Sequence, residues 1–84
     1  MAYSVALKRS AEKELEVLPE KIHNQIVGHL LSFKETPRPA GVKKLRGRPG
    51  YRKRVGDYRI LYTIDDENKR VEVISIAHRK EVYR

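Results

Sequence analysis

With 84 residues, 39% of them hydrophobic, the chain can fill one small core and not two, so a single domain spanning 1–84 is expected. A formal charge of +8 and a pI near 10 favour polyanionic partners such as nucleic acid or an acidic protein. The lack of cysteine excludes disulfides and thiolate chemistry; no apolar run approaches a membrane span and the amino terminus MAYSVALKRS lacks the apolar core of a secretion signal, so a cytoplasmic protein with no membrane partner is expected.

Tyr3, Val5 and Leu7 alternate with Ala2, Ser4 and Ala6 and predict a short first strand, with Ser10 placed to cap the helix after it. Ala11, Leu15 and Leu18 recur at helical spacing, and Pro19 stops that helix while suiting the first turn of another, so a helical hairpin is expected. From Pro19 onward Ile22, Ile26, Leu30 and Phe33 form one apolar stripe, widened by Val27 and Leu31. Thr36 to Gly41 ends the second helix, because two prolines around Arg38 suit neither a helix nor a central strand.

Tyr51 to Val55, Gly56-Asp57 and Tyr58 to Ile64 read as a hairpin with a two-residue turn, glycine supplying the positive φ of a primed turn. Pairing Val55 with Tyr58 sets Arg54 across from Arg59 and Arg52 across from Leu61. Arg52, Arg54 and Arg59 then project from one face, while Tyr58, Ile60, Tyr62 and Ile64 turn toward the second helix with Tyr51 and Val55. Lys53 falls on that apolar side and is expected to snorkel from near an edge, unless a bulge shifts the alternation. After a turn from Asp65 to Lys69, Val71 to Ala77 is a third strand whose register rests on hydrophobicity. With Ile74 and Ile76 inside, Val73, Ser75, Ala77 and Arg79 join the arginine face; a slip by one puts His78 there in place of Arg79. The expected fold class is α+β: an amino-terminal strand, a helical hairpin, then a three-stranded antiparallel meander packed on the helices.

Between Lys43 and Arg59 stand eight basic residues, Lys43, Lys44, Arg46, Arg48, Arg52, Lys53, Arg54 and Arg59, and one acid, Asp57. Like charges directly opposed in a sheet destabilise it by up to about 1 kcal/mol per pair, and a bound anion relieves that repulsion. Arginine offers planar, bidentate donors to phosphate and keeps its charge at any working pH. Basic strand residues also discourage edge aggregation, and composition favours phosphate binding without raising it to catalysis. His78 has a reference pKa suited to a general base, and Tyr83 can stack on a nucleobase or simply cover the sheet edge. No metal is expected, since His23 and His29 fall on different faces of a helix and no carboxylate cluster joins His78; no cofactor is expected either.

The segments KLRGRPGYRKRVGDYRILYTID and ISIAHRKEVY, in this order and spacing, resemble the RelE toxins of the RelE/ParE superfamily, and the resemblance runs nearly end to end. It implies the toxin of a type II toxin–antitoxin system: a ribosome-dependent endoribonuclease that cuts messenger RNA in the 30S A site and is held inactive by a RelB-like antitoxin. ParE-like relatives share the fold but inhibit DNA gyrase, so a gyrase inhibitor without catalysis stays open, as does a plain RNA- or ribosome-binding module. By position the family pattern implies site roles for Arg52 and Arg54, a transition-state arginine at Arg59, a further arginine at Arg79 and a stacking ring at Tyr83. Lys43, Lys44, Arg46, Arg48 and Lys53 complete the expected RNA-binding surface. In the family the pair at 52 and 54 is lysine; arginine there cannot give up a proton, which leaves proton transfer to His78, a ribosomal group or water. The antitoxin is expected to be an acidic segment that folds over the helical hairpin and the basic sheet. With Arg84 directly after Tyr83, inhibition by direct occlusion is expected.

Overall fold

The computed structural model describes residues 2–78. A first strand, β1 (Ser4–Leu7), leads into a helical hairpin of α1 (Arg9–Glu16) and α2 (Glu20–Ser32), followed by β2 (Lys43–Lys44), β3 (Tyr51–Val55), β4 (Tyr58–Asp65) and β5 (Arg70–His78). The strands form one sheet in the order β1-β5-β4-β3-β2. β1 runs parallel to β5 and the other neighbours are antiparallel. The expected α+β arrangement is present, with the meander β3–β4–β5 at its centre and a short edge strand, β2, that its length kept out of the sequence pattern.

The helices cover one face because their apolar stripes have nowhere else to go. Ala11 of α1, Ile26 and Leu30 of α2 and Phe33 just beyond it are buried with Val55, Ile60, Tyr62, Val71, Val73 and Ile76. Phe33 stacks on Tyr62 with ring centroids 4.3 Å apart, a contact worth about 0.5–1.5 kcal/mol beyond its buried area. Leu31 does not widen the stripe; one residue further round the helix than Leu30, it is 56% exposed. Ser10 is not the cap either. Lys8 holds that position without a side-chain bond, and the Ser10 hydroxyl donates to the Ile74 carbonyl at 3.2 Å instead.

The hairpin register is the expected one, with Val55 opposite Tyr58, Arg54 opposite Arg59 and Arg52 opposite Leu61. Gly56 has φ +58° and Asp57 does not share the positive φ, the pattern of a type II′ turn with glycine first.

The third strand departs from expectation. The β4–β5 register shifts between Leu61, which pairs with Ser75, and Tyr62, which pairs with Val73. Ile74 is the extra residue of a bulge, so Val71 and Val73 lie in the core before it and Ile76 after it. A regular strand cannot bury odd and even residues on one face; the bulge switches the alternation, and burying three apolar side chains outweighs one unpaired position. Val73 is therefore inside rather than on the arginine face, while Ser75 and Ala77 remain on it. Past Val73, β5 has no strand on its outer side among the described residues, and α1 satisfies the edge. Glu14 Oε1 accepts the Ile76 N–H at 2.9 Å and the Ser75 hydroxyl at 3.3 Å.

The proline segment before β2 is tied down at several points. The buried Tyr62 donates its hydroxyl to the Pro37 carbonyl at 2.8 Å, and burial pushes its phenol pKa up. Arg38 bonds both oxygens of Asp66, at 3.2 and 2.8 Å, and the Tyr51 hydroxyl at 3.2 Å; Tyr3 donates to the same carboxylate at 2.6 Å. The Lys53 ammonium reaches the Ala40 carbonyl at 3.0 Å, which is how a lysine on the apolar side of β3 escapes burial. Among the described residues no helix is long and apolar enough to cross a membrane.

Candidate functional site

Alternation along β3 and β4 sends Arg52, Arg54 and Arg59 away from the helices. Lys43 of β2 pairs with Arg52 and points the same way. These four side chains, with Gly41, line a cavity of about 150 Å³ to which no carboxylate among the described residues contributes. Its size suits a phosphate group with its close hydration.

Two like-charge pairs, Lys43–Arg52 and Arg54–Arg59, stand directly across from each other, each destabilising by up to about 1 kcal/mol without an anion. Arg59 is only 6% exposed; it sits between Arg54 and the small Ala77 of the neighbouring strand. Arg54 is exposed, and its Nε donates to the Gly56 carbonyl at 3.3 Å. Leu61 and Ser75 continue the same face beside Arg52. Such an arrangement offers several guanidinium donors to one tetrahedral anion, with the buried Arg59 the least screened by solvent and the exposed Arg54 the most.

The remaining expected residues divide. Arg46 lines an adjoining groove with Lys43, Lys44, Leu45 and Arg52, extending the basic surface along the edge. Arg48 borders a different groove, near Tyr51 and Thr63, on whose rim Lys44 also lies. Lys53 is committed to Ala40 from beneath β3. His78 pairs with Tyr58 and meets its ring edge-on at 5.2 Å. Tyr58 faces the helices, so the imidazole stands on the opposite side of the sheet from Arg59, beside Glu14, Leu18 and Pro19. Arg79 and Tyr83 lie outside the described residues. Gly41 was missed. Its φ of +86° turns the chain into β2, and the only sequence signal was a glycine closing a proline-rich run. Among the described residues no group of three or more His, Asp or Glu side chains is placed to hold a metal ion.

A family model described as the ParE toxin of the type II toxin–antitoxin system parDE matches residues 5–83. The Toxin RelE of Mycobacterium tuberculosis is 40% identical over 87 residues, covering 98% of this chain and 87% of that protein. The mRNA interferase toxin RelE of Escherichia coli K12 is 36% identical over 88 residues, covering 99% and 92%. Among solved structures, the archaeal RelE–RelB complex from Pyrococcus horikoshii superposes with a TM-score of 0.85 at 27% identity, over 94% of this chain and 97% of that one.

Proposed function

The chain belongs to the ParE toxin family of type II toxin–antitoxin systems and is a RelE-type toxin, and from that premise we propose that it is an mRNA interferase cutting messenger RNA in the ribosomal A site. The observation that carries this reading is the convergence of Lys43, Arg52, Arg54 and Arg59 on one phosphate-sized cavity. The Escherichia coli relative is named an mRNA interferase toxin.

In the proposed reaction the ribose 2′-oxygen attacks the adjacent phosphorus, the bond to the 5′-oxygen breaks, and a 2′,3′-cyclic phosphate and a 5′-hydroxyl result. Arg59, buried beside Ala77, stabilises the charge that builds on the non-bridging oxygens; Arg52 and Arg54 orient the phosphate and share that charge. Lys43 and Arg46 steer the RNA backbone along the sheet edge. Arg79 and Tyr83, assigned by position in the family pattern, supply a further cation and a ring on which a base stacks. His78 faces away from the cavity, so in this scheme the 2′-hydroxyl proton goes to water or to a ribosomal group, and the 5′-oxygen is protonated in the same way.

The partner proposed is a RelB-like antitoxin, as in the archaeal RelE–RelB complex. An acidic segment laid over the arginine cavity would neutralise its repulsion and block it at once.

A second reading, gyrase inhibition without catalysis, is favoured by one observation, the ParE description of the matching family. A translation extract and a purified gyrase supercoiling reaction, each given the protein, separate the two. Amino-acid incorporation that stops within minutes while supercoiling continues supports the interferase; the reverse pattern supports the gyrase inhibitor.

A further inference from the structure

We infer that the groove between α2 and the β3–β4 turn is a nucleobase subsite that receives the base of a nucleotide next to the phosphate held by the arginines; this rests on the reading of the chain as an RNA-cutting toxin. The groove is shallow and open, with about 620 Å³ between Gln25, Gly28, His29 and Ser32 on one side and Arg54, Val55 and Gly56 on the other. That falls in the range of small-molecule sites, about 300–1,000 Å³. Arg54 lines both this groove, on the helix side, and the arginine cavity on the other face, so a strand bound at the cavity would reach the groove around the edge of β3.

Gly28 is the second observation. It lies inside α2, exposed, and a Cβ built there meets nothing within 4 Å. Glycine weakens a helix relative to alanine, and no packing among the described residues compensates. What it offers is bare backbone, open to close approach from outside. The groups around it suit a base edge. The Gln25 amide both donates and accepts, and the Ser32 hydroxyl, which donates to the His29 carbonyl at 2.7 Å, keeps its lone pairs. Among the described residues no carboxylate lines the groove to repel RNA. The exposed apolar residue of α2, Leu31, is absent from the lining, which favours a polar base over an apolar partner helix.

The test is the triplet preference of cleavage, read by primer extension on a set of messages in a reconstituted translation reaction, for wild type, Gly28→Leu and Gln25→Ala. Gly28→Leu fills the groove and favours the helix, so it should melt at or above the wild-type temperature. Cutting by Gly28→Leu is expected to drop about tenfold or more at a subset of triplets, the scale of a base's lost hydrogen bonds, with Gln25→Ala shifting the same subset. Identical triplet profiles in all three proteins overturn the subsite and leave the interferase reading intact. A wild type that cuts no message overturns that reading and the subsite with it. Unchanged cutting combined with lost inhibition by the co-expressed antitoxin assigns the groove to a protein partner and also overturns the inference.

Discussion

Replacing Arg54 with glutamine separates what the arginine face costs the fold from what it does for chemistry. Arg54 stands directly across from Arg59, itself only 6% exposed. An opposed like-charge pair destabilises by up to about 1 kcal/mol, and glutamine removes the charge while keeping a polar side chain. One hydrogen bond is lost, from Arg54 Nε to the Gly56 carbonyl at 3.3 Å; it is long and at the surface, so it offsets only part of the gain. The variant should therefore be as stable as wild type or more so, with Tm raised by no more than about 4–8 °C, the shift that 1 kcal/mol produces in a domain of this size. The gain should depend on salt. Screening shortens from about 10 Å at 0.1 M to about 3 Å at 1 M, so the two melting curves should converge at high salt. Cleavage should move the other way. Removing an oxyanion donor in a closed site costs about 10²–10³ in rate, and an exposed one should cost less, about tenfold to a hundredfold. Thermal melts at two salt concentrations and single-turnover cleavage on programmed ribosomes measure both quantities. A variant that melts below wild type at low salt, or cuts at the wild-type rate, refutes the reasoning.

Other expectations concern the frame around the cavity. Tyr62→Phe removes the donor to the Pro37 carbonyl and should lower stability by about 1–2 kcal/mol, seen as a lower urea midpoint with unchanged slope. Gly50→Ala should cost about 1–3 kcal/mol, because φ is +129° and the added Cβ comes within 3.1 Å of Leu45 Cδ1 and 3.2 Å of the Tyr62 carbonyl. Its signature is faster hydrogen exchange at the Leu45 amide, which bonds the Gly50 carbonyl at 2.9 Å. Asp66 is held at about 2, below the ordinary 3.8, chiefly by hydrogen bonds from Arg38 and Tyr3. A folded pKa below the unfolded one stabilises the fold above pH 3.8 and loses that contribution as pH falls toward 2. Wild type should thus exceed Asp66→Asn in stability at neutral pH, with the difference shrinking through that window; a difference constant from neutral pH down to pH 2 would contradict the assignment.

Where a single local rule decides, the sequence is legible. Glycine at the first turn position settles the hairpin, hence the Arg54–Arg59 pairing and the shared face of Arg52. The stripe from Ile22 to Phe33 settles which side α2 covers. Where two requirements compete, reading by alternation fails. VEVISIAH holds apolar residues at both parities, and only the joint burial of Val71, Val73 and Ile76 selects the bulge at Ile74. His78 packs on Tyr58 behind the sheet, the side that a register with Ile76 inside already gave it. Ser10 looked like a cap because its alternative partner, the Ile74 carbonyl, is distant in sequence. Lys53 and Gly41 were opaque for a similar reason, since the role of each depends on where the proline segment runs.

The most direct test of the account is primer extension on a defined message in a reconstituted translation reaction, with wild-type protein and Arg59→Ala, each with and without ribosomes, and each shown to be folded by its melting curve. The account predicts cuts inside the A-site codon that require both the ribosome and Arg59 and leave a 2′,3′-cyclic phosphate. An intact message on translating ribosomes, or equal cutting by a folded Arg59→Ala, contradicts it.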